Sequence, residues 1–192
     1  IDVRNRRRPQ TVALKPTSGG ASGLDLFTSD ANQTLAYVAD GNGGLQVIDL
    51  TDPQQPQWLN RYDASGEAYG MDIVQTAEGN RIAYIADGTG GLKIVKIEGA
   101  FDAVLTHHIP VEGIAVDVRV ENGHAYIAAG ENGLIIMDVR NPDDAWMVSH
   151  IRTSEPAWGV EINEGHVYVC AEGLVGAKSQ KSILNRFAGV SV

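Results

Sequence analysis

The chain repeats itself, and that constrains its fold more than any other feature. Tyr37-Val38-Ala39-Asp40-Gly41-Asn42-Gly43-Gly44-Leu45-Gln46-Val47-Ile48-Asp49-Leu50 returns as Tyr84-Ile85-Ala86-Asp87-Gly88-Thr89-Gly90-Gly91-Leu92-Lys93-Ile94-Val95-Lys96-Ile97. It returns again as Tyr126-Ile127-Ala128-Ala129-Gly130-Glu131-Asn132-Gly133-Leu134-Ile135-Ile136-Met137-Asp138-Val139, and a fourth, altered copy starts at Tyr168. The tyrosines step by 47, 42 and 42 residues. A unit of this size holds about four short strands and cannot bury both faces of its own small sheet, so it must stack on its neighbours.

Residues around each tyrosine are apolar, partly β-branched, too few for a helix and bounded by glycines, which predicts a strand. Asp-Gly between two such runs tolerates φ > 0, as a tight hairpin requires. Tyr37–Asp40 and Leu45–Leu50 are therefore expected as two antiparallel strands, B and C of a blade. Strand A precedes them, at Gly23–Leu26, Gly70–Ile73, Val116–Val118 and Gly159–Ile162. Strand D follows a turn marked by Asp52-Pro53 or Asn141-Pro142, at Gln57–Tyr62, Ala103–His108 and Ala145–Ile151. Proline cannot continue a central strand, and Asp or Asn bonds its own backbone in such a turn. The expected fold class is all-β: a β-propeller of four-stranded antiparallel blades, with about four repeats visible.

Ile1-Asp2-Val3 and Pro9-Gln10 match Ile48-Asp49-Leu50 and Pro56-Gln57 at one offset, so the first residues read as the end of a strand C. The fourth copy loses the pattern after Leu174. Residues 1–174 are read as blades, partial at both ends, and 175–192 as an irregular tail. Either the first residues complete the last blade, or the chain is a piece of a larger propeller; we take it as a piece.

The net charge of −9 is carried by the middle of the chain, with arginines and lysines gathered near the two ends. An acidic body repels phosphate backbones, so nucleic acid is not an expected partner. No apolar run approaches the roughly 18 residues of a membrane-spanning helix. The single cysteine, Cys170, lies in an apolar run and reads as a small buried hydrophobe.

No nucleophile elbow, zinc-protease helix, phosphate loop or cysteine pair is present. The glycine-rich Asp40–Gly44 and Asp87–Gly91 sit between strands B and C and read as hairpins rather than phosphate or calcium loops. Trp58, Trp146 and Trp158 read as packing residues. One set of side chains recurs in the strand before each tyrosine: Asp25, Asp72, Asp117 and Glu161. Their neighbours point to the opposite face, so they are expected to form an inner acidic arc. Carboxylates sharing a channel repel one another. Hydrogen bonds from the neighbouring blade, or a cation, for which hard oxygen ligands suit Ca²⁺, would offset that. No other cofactor is expected.

Tyr-Val-Ala-Asp-Gly…Gly-Leu-x-Val-Ile-Asp with its trailing Asp-Pro-x-x-Pro resembles the LVIVD repeat over roughly residues 1–174. Lys96 and Ala129 depart from it at the strand C and turn aspartates. The resemblance implies a propeller of bacterial and archaeal envelope or secreted proteins, hence an extracellular, cell-surface or periplasmic location, and brings no catalytic residues. The function expected is a non-enzymatic interaction module for a protein or glycan partner. The alternatives are a hydrolase using a metal held by the inner acids, and a structural spacer in a larger surface protein.

Overall fold

The computed structural model of the chain describes residues 1–29, 32–62, 66–98, 102–171 and 182–183. It is all-β. The first sheet comprises β1 (Gly23–Thr28), β2 (Thr34–Ala39), β3 (Leu45–Asp49) and β4 (Gln57–Tyr62). The second comprises β5 (Gly70–Gln75), β6 (Arg81–Ala86), β7 (Leu92–Glu98) and β8 (Asp102–Ile109); the third β9 (Asp117–Glu121), β10 (His124–Ala128), β11 (Leu134–Asp138) and β12 (Trp146–Ile151). Each is an antiparallel meander in chain order. The fourth sheet holds β13 (Ala157–Asn163), β14 (His166–Ala171) and the short β15 (Ser182–Ile183). Tyr37, Tyr84, Tyr126 and Tyr168 all lie in second strands. The only helical turn among the described residues, Pro142–Asp144, is a 3₁₀ turn capped by the Asn141 side chain. The tail expected over 175–192 lies outside the described residues except for Ser182–Ile183, whose backbone pairs with Ala171 and Cys170 in third-strand position.

Facing sheets bury two-sided cores. Leu35, Tyr37 and Ala39 of the first sheet pack on Ala83, Ile85, Val95 and Ile97 of the second. Tyr84, Leu92 and Ile94 on the second sheet's other side pack on Val118, Ile127, Ile135 and Met137 of the third. Ala128, Leu134 and Ile136 then meet Val160 and Val169 of the fourth. Burying one such Leu or Ile contributes about 1.5–3 kcal/mol relative to exposure, which is why strands B and C have no polar face to spare. The first strands β1, β5, β9 and β13 contact one another in series, so strand A lines the inner edge and strand D the rim. These features make a β-propeller.

Each hairpin between strands B and C also holds the next blade in place. Gly41 pairs with Ala68, Gly88 with Ala115 and Gly130 with Ala157, each a two-residue bridge onto the segment entering the following sheet. The strand C–D connection recurs too. Asp49 pairs with Gln57 and accepts from the Thr51 amide at 2.8 Å, and Asp2 pairs with Gln10 and accepts from the Arg4 amide at 2.9 Å. The expected alignment of the first ten residues with 48–57 therefore holds in the backbone.

Inner strands approach closely at a position where a side chain is missing. A Cβ on Gly70 would sit 2.7 Å from Asp117 Cα and 2.8 Å from the Val116 carbonyl. Gly70→Ala is expected to destabilise by about 1–3 kcal/mol through overpacking. Gly20→Ala, where a Cβ meets nothing within 4 Å, should be near neutral. Urea denaturation of both variants checks this.

Candidate functional site

The inner edge collects the acidic residues singled out from the sequence, with one change of register. Asp25, Asp72 and Glu161 lie directly across from Tyr37, Tyr84 and Tyr168. In the third sheet that rung is held by Arg119, opposite Tyr126; Asp117 lies two residues earlier, opposite Ala128. The equivalent positions in the first two sheets are Gly23 and Gly70, opposite Ala39 and Ala86. Matching Val116-Asp117-Val118 to Leu24-Asp25-Leu26 by residue type alone misses this shift.

Three of the carboxylates make one repeated contact. Asp25 accepts from the Ile73 amide at 2.9 Å, Asp72 from the Val120 amide at 2.6 Å, and Asp117 from the Val160 amide at 3.1 Å. Each donor lies on strand A of the next sheet and points away from its own sheet. The carboxylates thus satisfy edge amides that a bare inner strand would leave open. Arg119 supplies the counter-charge, 3.1 Å from Asp117 and 3.4 Å from Glu161. Burial raises the pKa of Asp72, reinforced by the Asp25 charge and opposed by the Val120 amide and Arg119. Burial likewise raises Asp117, against the Val160 amide and Arg119. Among the described residues, no group of three or more His, Cys, Asp or Glu side chains is placed to hold a metal ion.

Four histidines serve turns. His108 and His150, both ending a strand D, donate from Nε2 to the hairpin carbonyls of Gly90 and Asn132. His124 and His166 donate from Nδ1 to the carbonyls of Asn122 and Glu164 in the two-residue turns before them. The Asp40–Gly44 and Asp87–Gly91 segments are hairpins as expected, with positive φ at Gly41, Gly44, Gly88 and Gly91.

Two expectations are corrected. Cys170 is exposed, because it lies on the side of β14 turned away from the third sheet while Val169 faces it. Trp58, Trp146 and Trp158 are 40%, 56% and 49% exposed, Trp58 with the Lys15 ammonium 5.8 Å above its ring. They lie on edge strands, which have no further strand to cover them.

A buried polar pair that changes identity from blade to blade is not among the residues singled out from the sequence. Lys93 and Asp87, both almost fully buried, form an ion pair at 2.6 Å. The first blade has Gln46 and Asp40 in these positions, and the third has Ile135 and Ala129. Gln46 donates to the Gly43 carbonyl at 2.7 Å, and the Gly19 amide donates to Asp40 at 2.9 Å. The signal was in the aligned copies: an acid and a long polar residue six positions apart, replaced together.

Two tests follow from these contacts. Lys93→Ile alone strands the Asp87 charge and is expected to cost about 3–5 kcal/mol, whereas Asp87→Ala with Lys93→Ile reproduces the third blade and should recover most of that loss. A double-mutant denaturation cycle measures both. The second concerns pH. Because Asp72 and Asp117 have raised folded-state pKa values, the native state binds more protons than the unfolded chain just above the ordinary carboxylate range. Their contribution is present below that range and is lost as pH rises through the folded values. Asp72→Asn keeps an oxygen for the Val120 amide and should flatten the decline in stability as pH rises above the ordinary carboxylate range; denaturation midpoints at a series of pH values from that range upward decide it.

The family model for the LVIVD repeat matches residues 34–64, 79–97 and 112–153. These segments carry β2–β4, β6–β7 and β9–β12. No curated protein matches the chain. Among solved structures the chain is similar to the crystal structure of the computationally designed Ika4 protein, with a TM-score of 0.57 and 12% identity over 92% of this chain and 98% of that one. It is also similar to the computationally designed Ika8 protein, with a TM-score of 0.51 and 14% identity over 79% of this chain and 42% of that one. At these identities the likeness is one of fold alone. Three of the four sheets thus carry LVIVD repeats, and the fold that holds them is a β-propeller.

Proposed function

We propose that the chain is a non-enzymatic interaction module, a rigid propeller that binds a protein or glycan partner outside the cytoplasm. The observation that carries this reading is the rim strand β12. Trp146, Met147 and Val148 are successive and all exposed. A β-bulge opposite Ile136 and Met137 leaves Val148 unpaired and breaks the usual in–out alternation. A rim strand with an open backbone edge and an amphipathic aromatic residue suits capture of a partner polypeptide by strand addition, with Trp146 as anchor. The LVIVD repeats support the extracellular placement through the resemblance they carry. Among the described residues no helix is long and apolar enough to cross a membrane.

The test presents immobilised protein in parallel to the extracellular protein fraction of its source cells and to a glycan array. Saturable retention on one arm is expected. The Trp146→Ser, Met147→Lys double variant should lose it by about tenfold or more with an unchanged melting temperature. Retention equal in the two proteins, or none on either arm, contradicts the reading.

A further inference from the structure

The step from 47 to 42 residues between repeats has a structural cause. Strands β5 and β6 run on to the Gln75–Arg81 pair and are joined by five residues. Strands β9 and β10 close one rung earlier, over Asn122 and Gly123 alone. A two-residue hairpin turn of type I′ needs φ > 0 at both positions, and Asn122 and Gly123 have φ of 51° and 74°. Turn chemistry therefore places a glycine in the position that Arg81 holds one blade earlier. Arg81 pairs with Ile97, and the Gly123 carbonyl accepts from Val139 at the same point of the third sheet.

Arg81 plugs the wedge between the first two sheets. Its guanidinium lies 4.7 Å from the Phe27 ring centroid, and its Nη1 donates to the Tyr37 hydroxyl at 2.6 Å. Between the second and third sheets both parts of this plug are missing. Gly123 has no side chain, and Val74 stands where Phe27 stood, opposite Ile82 as Phe27 is opposite Leu35. A cavity of about 420 Å³ opens there, walled by Val74, Ile82, Ile97, Val120 and Val139, within the size range of small-molecule sites. Tyr84, the counterpart of Tyr37, lines it. It is 2% exposed, and its hydroxyl has no hydrogen-bond partner among the described residues. Burial and the Asp72 charge push this phenol up to about 12, so it stays protonated.

The rim charges are unequally committed. Lys96 is paired with Asp143 at 2.8 Å and Arg140 with Asp138. Glu78 and Glu98, also on the rim, form no ion pair among the described residues. We propose that this cavity binds an organic cation, an apolar body carrying one guanidinium or ammonium group. The body lies against the aliphatic walls, and the N–H donors face the Tyr84 oxygen and the carboxylates of Glu98 and of Glu78, which already accepts from its own amide and from Thr76. The occupant thus restores from outside the benzyl-plus-guanidinium plug that Phe27 and Arg81 supply one wedge earlier. The chemistry is that of an arginine side chain or of a free arylalkyl guanidine.

The experiment titrates the intact chain with benzylguanidinium, benzyl alcohol and an N-acetylated, C-amidated Gly-Arg-Gly peptide, followed by NMR shifts. Saturable binding of benzylguanidinium is expected, with Val120 and Gly123 amides among those that shift. Benzyl alcohol should bind about tenfold more weakly or worse, and Tyr84→Phe should weaken the cation by about tenfold, as the loss of a hydrogen bond to a charged group implies. Val74→Phe refills the wedge and should abolish binding while keeping a native melting temperature. Peptide binding tighter than benzylguanidinium assigns the natural occupant to a polypeptide arginine, and the reverse to a free cation; both support the site. No saturable binding by folded protein, equal binding by Val74→Phe, or equal binding of benzyl alcohol overturns it.

Discussion

Among the described residues no continuous backbone ladder joins one sheet to the next; only the bridges Gly41–Ala68, Gly88–Ala115 and Gly130–Ala157 cross. The arrangement rests on what happens where inner strands meet without a ladder. Strand A of each sheet presents amides that face away from its own partner strand. A carboxylate from the preceding sheet closes one of them, at Asp25–Ile73, Asp72–Val120 and Asp117–Val160. Charge-assisted bonds of this type are stronger than neutral ones, and they fix position as well as energy. The apolar cores between sheets are non-directional by comparison. The carboxylates set the register in which those cores close.

That role bears on how the inner acids should be understood. Four like charges along one edge would oppose assembly. The chain answers with an arginine rather than more acid: Arg119 occupies the third rung, and Asp117 moves to a position that is glycine in the first two sheets. The displacement keeps the same donor relationship, since each carboxylate still meets the amide following the aligned residue of the next strand. A shared structural task accounts for Asp25, Asp72 and Asp117, while Glu161 pairs with Arg119 instead.

Much of this was readable in the sequence because repetition averages out local ambiguity. Strand D of the first sheet was expected at Gln57–Tyr62 and lies there, since Pro53 and Pro56 mark its start. Strand B begins earlier than its apolar centre predicts, at Thr34 and Arg81, where polar residues hide the start of the strand. The register of Asp117 was illegible for a physical reason. It depends on the two-residue turn at Asn122-Gly123, which shortens the connection without altering the residue types of strand A. The exposure of Cys170 was hidden too, because an apolar run suggests burial on both sides and only the stacking order shows which side is covered. The wedge cavity depends on comparing two copies position by position, and composition carries no trace of it.

Amide hydrogen exchange of Ile73, Val120 and Val160 tests the carboxylate latch most directly. The account predicts that all three exchange only with global unfolding. Asp72→Ala should then release Val120 selectively, leaving Ile73 and Val160 as protected, relative to the variant's own stability, as before. Rapid exchange of these three amides in the unaltered chain, or equal acceleration of all three by Asp72→Ala, would contradict it.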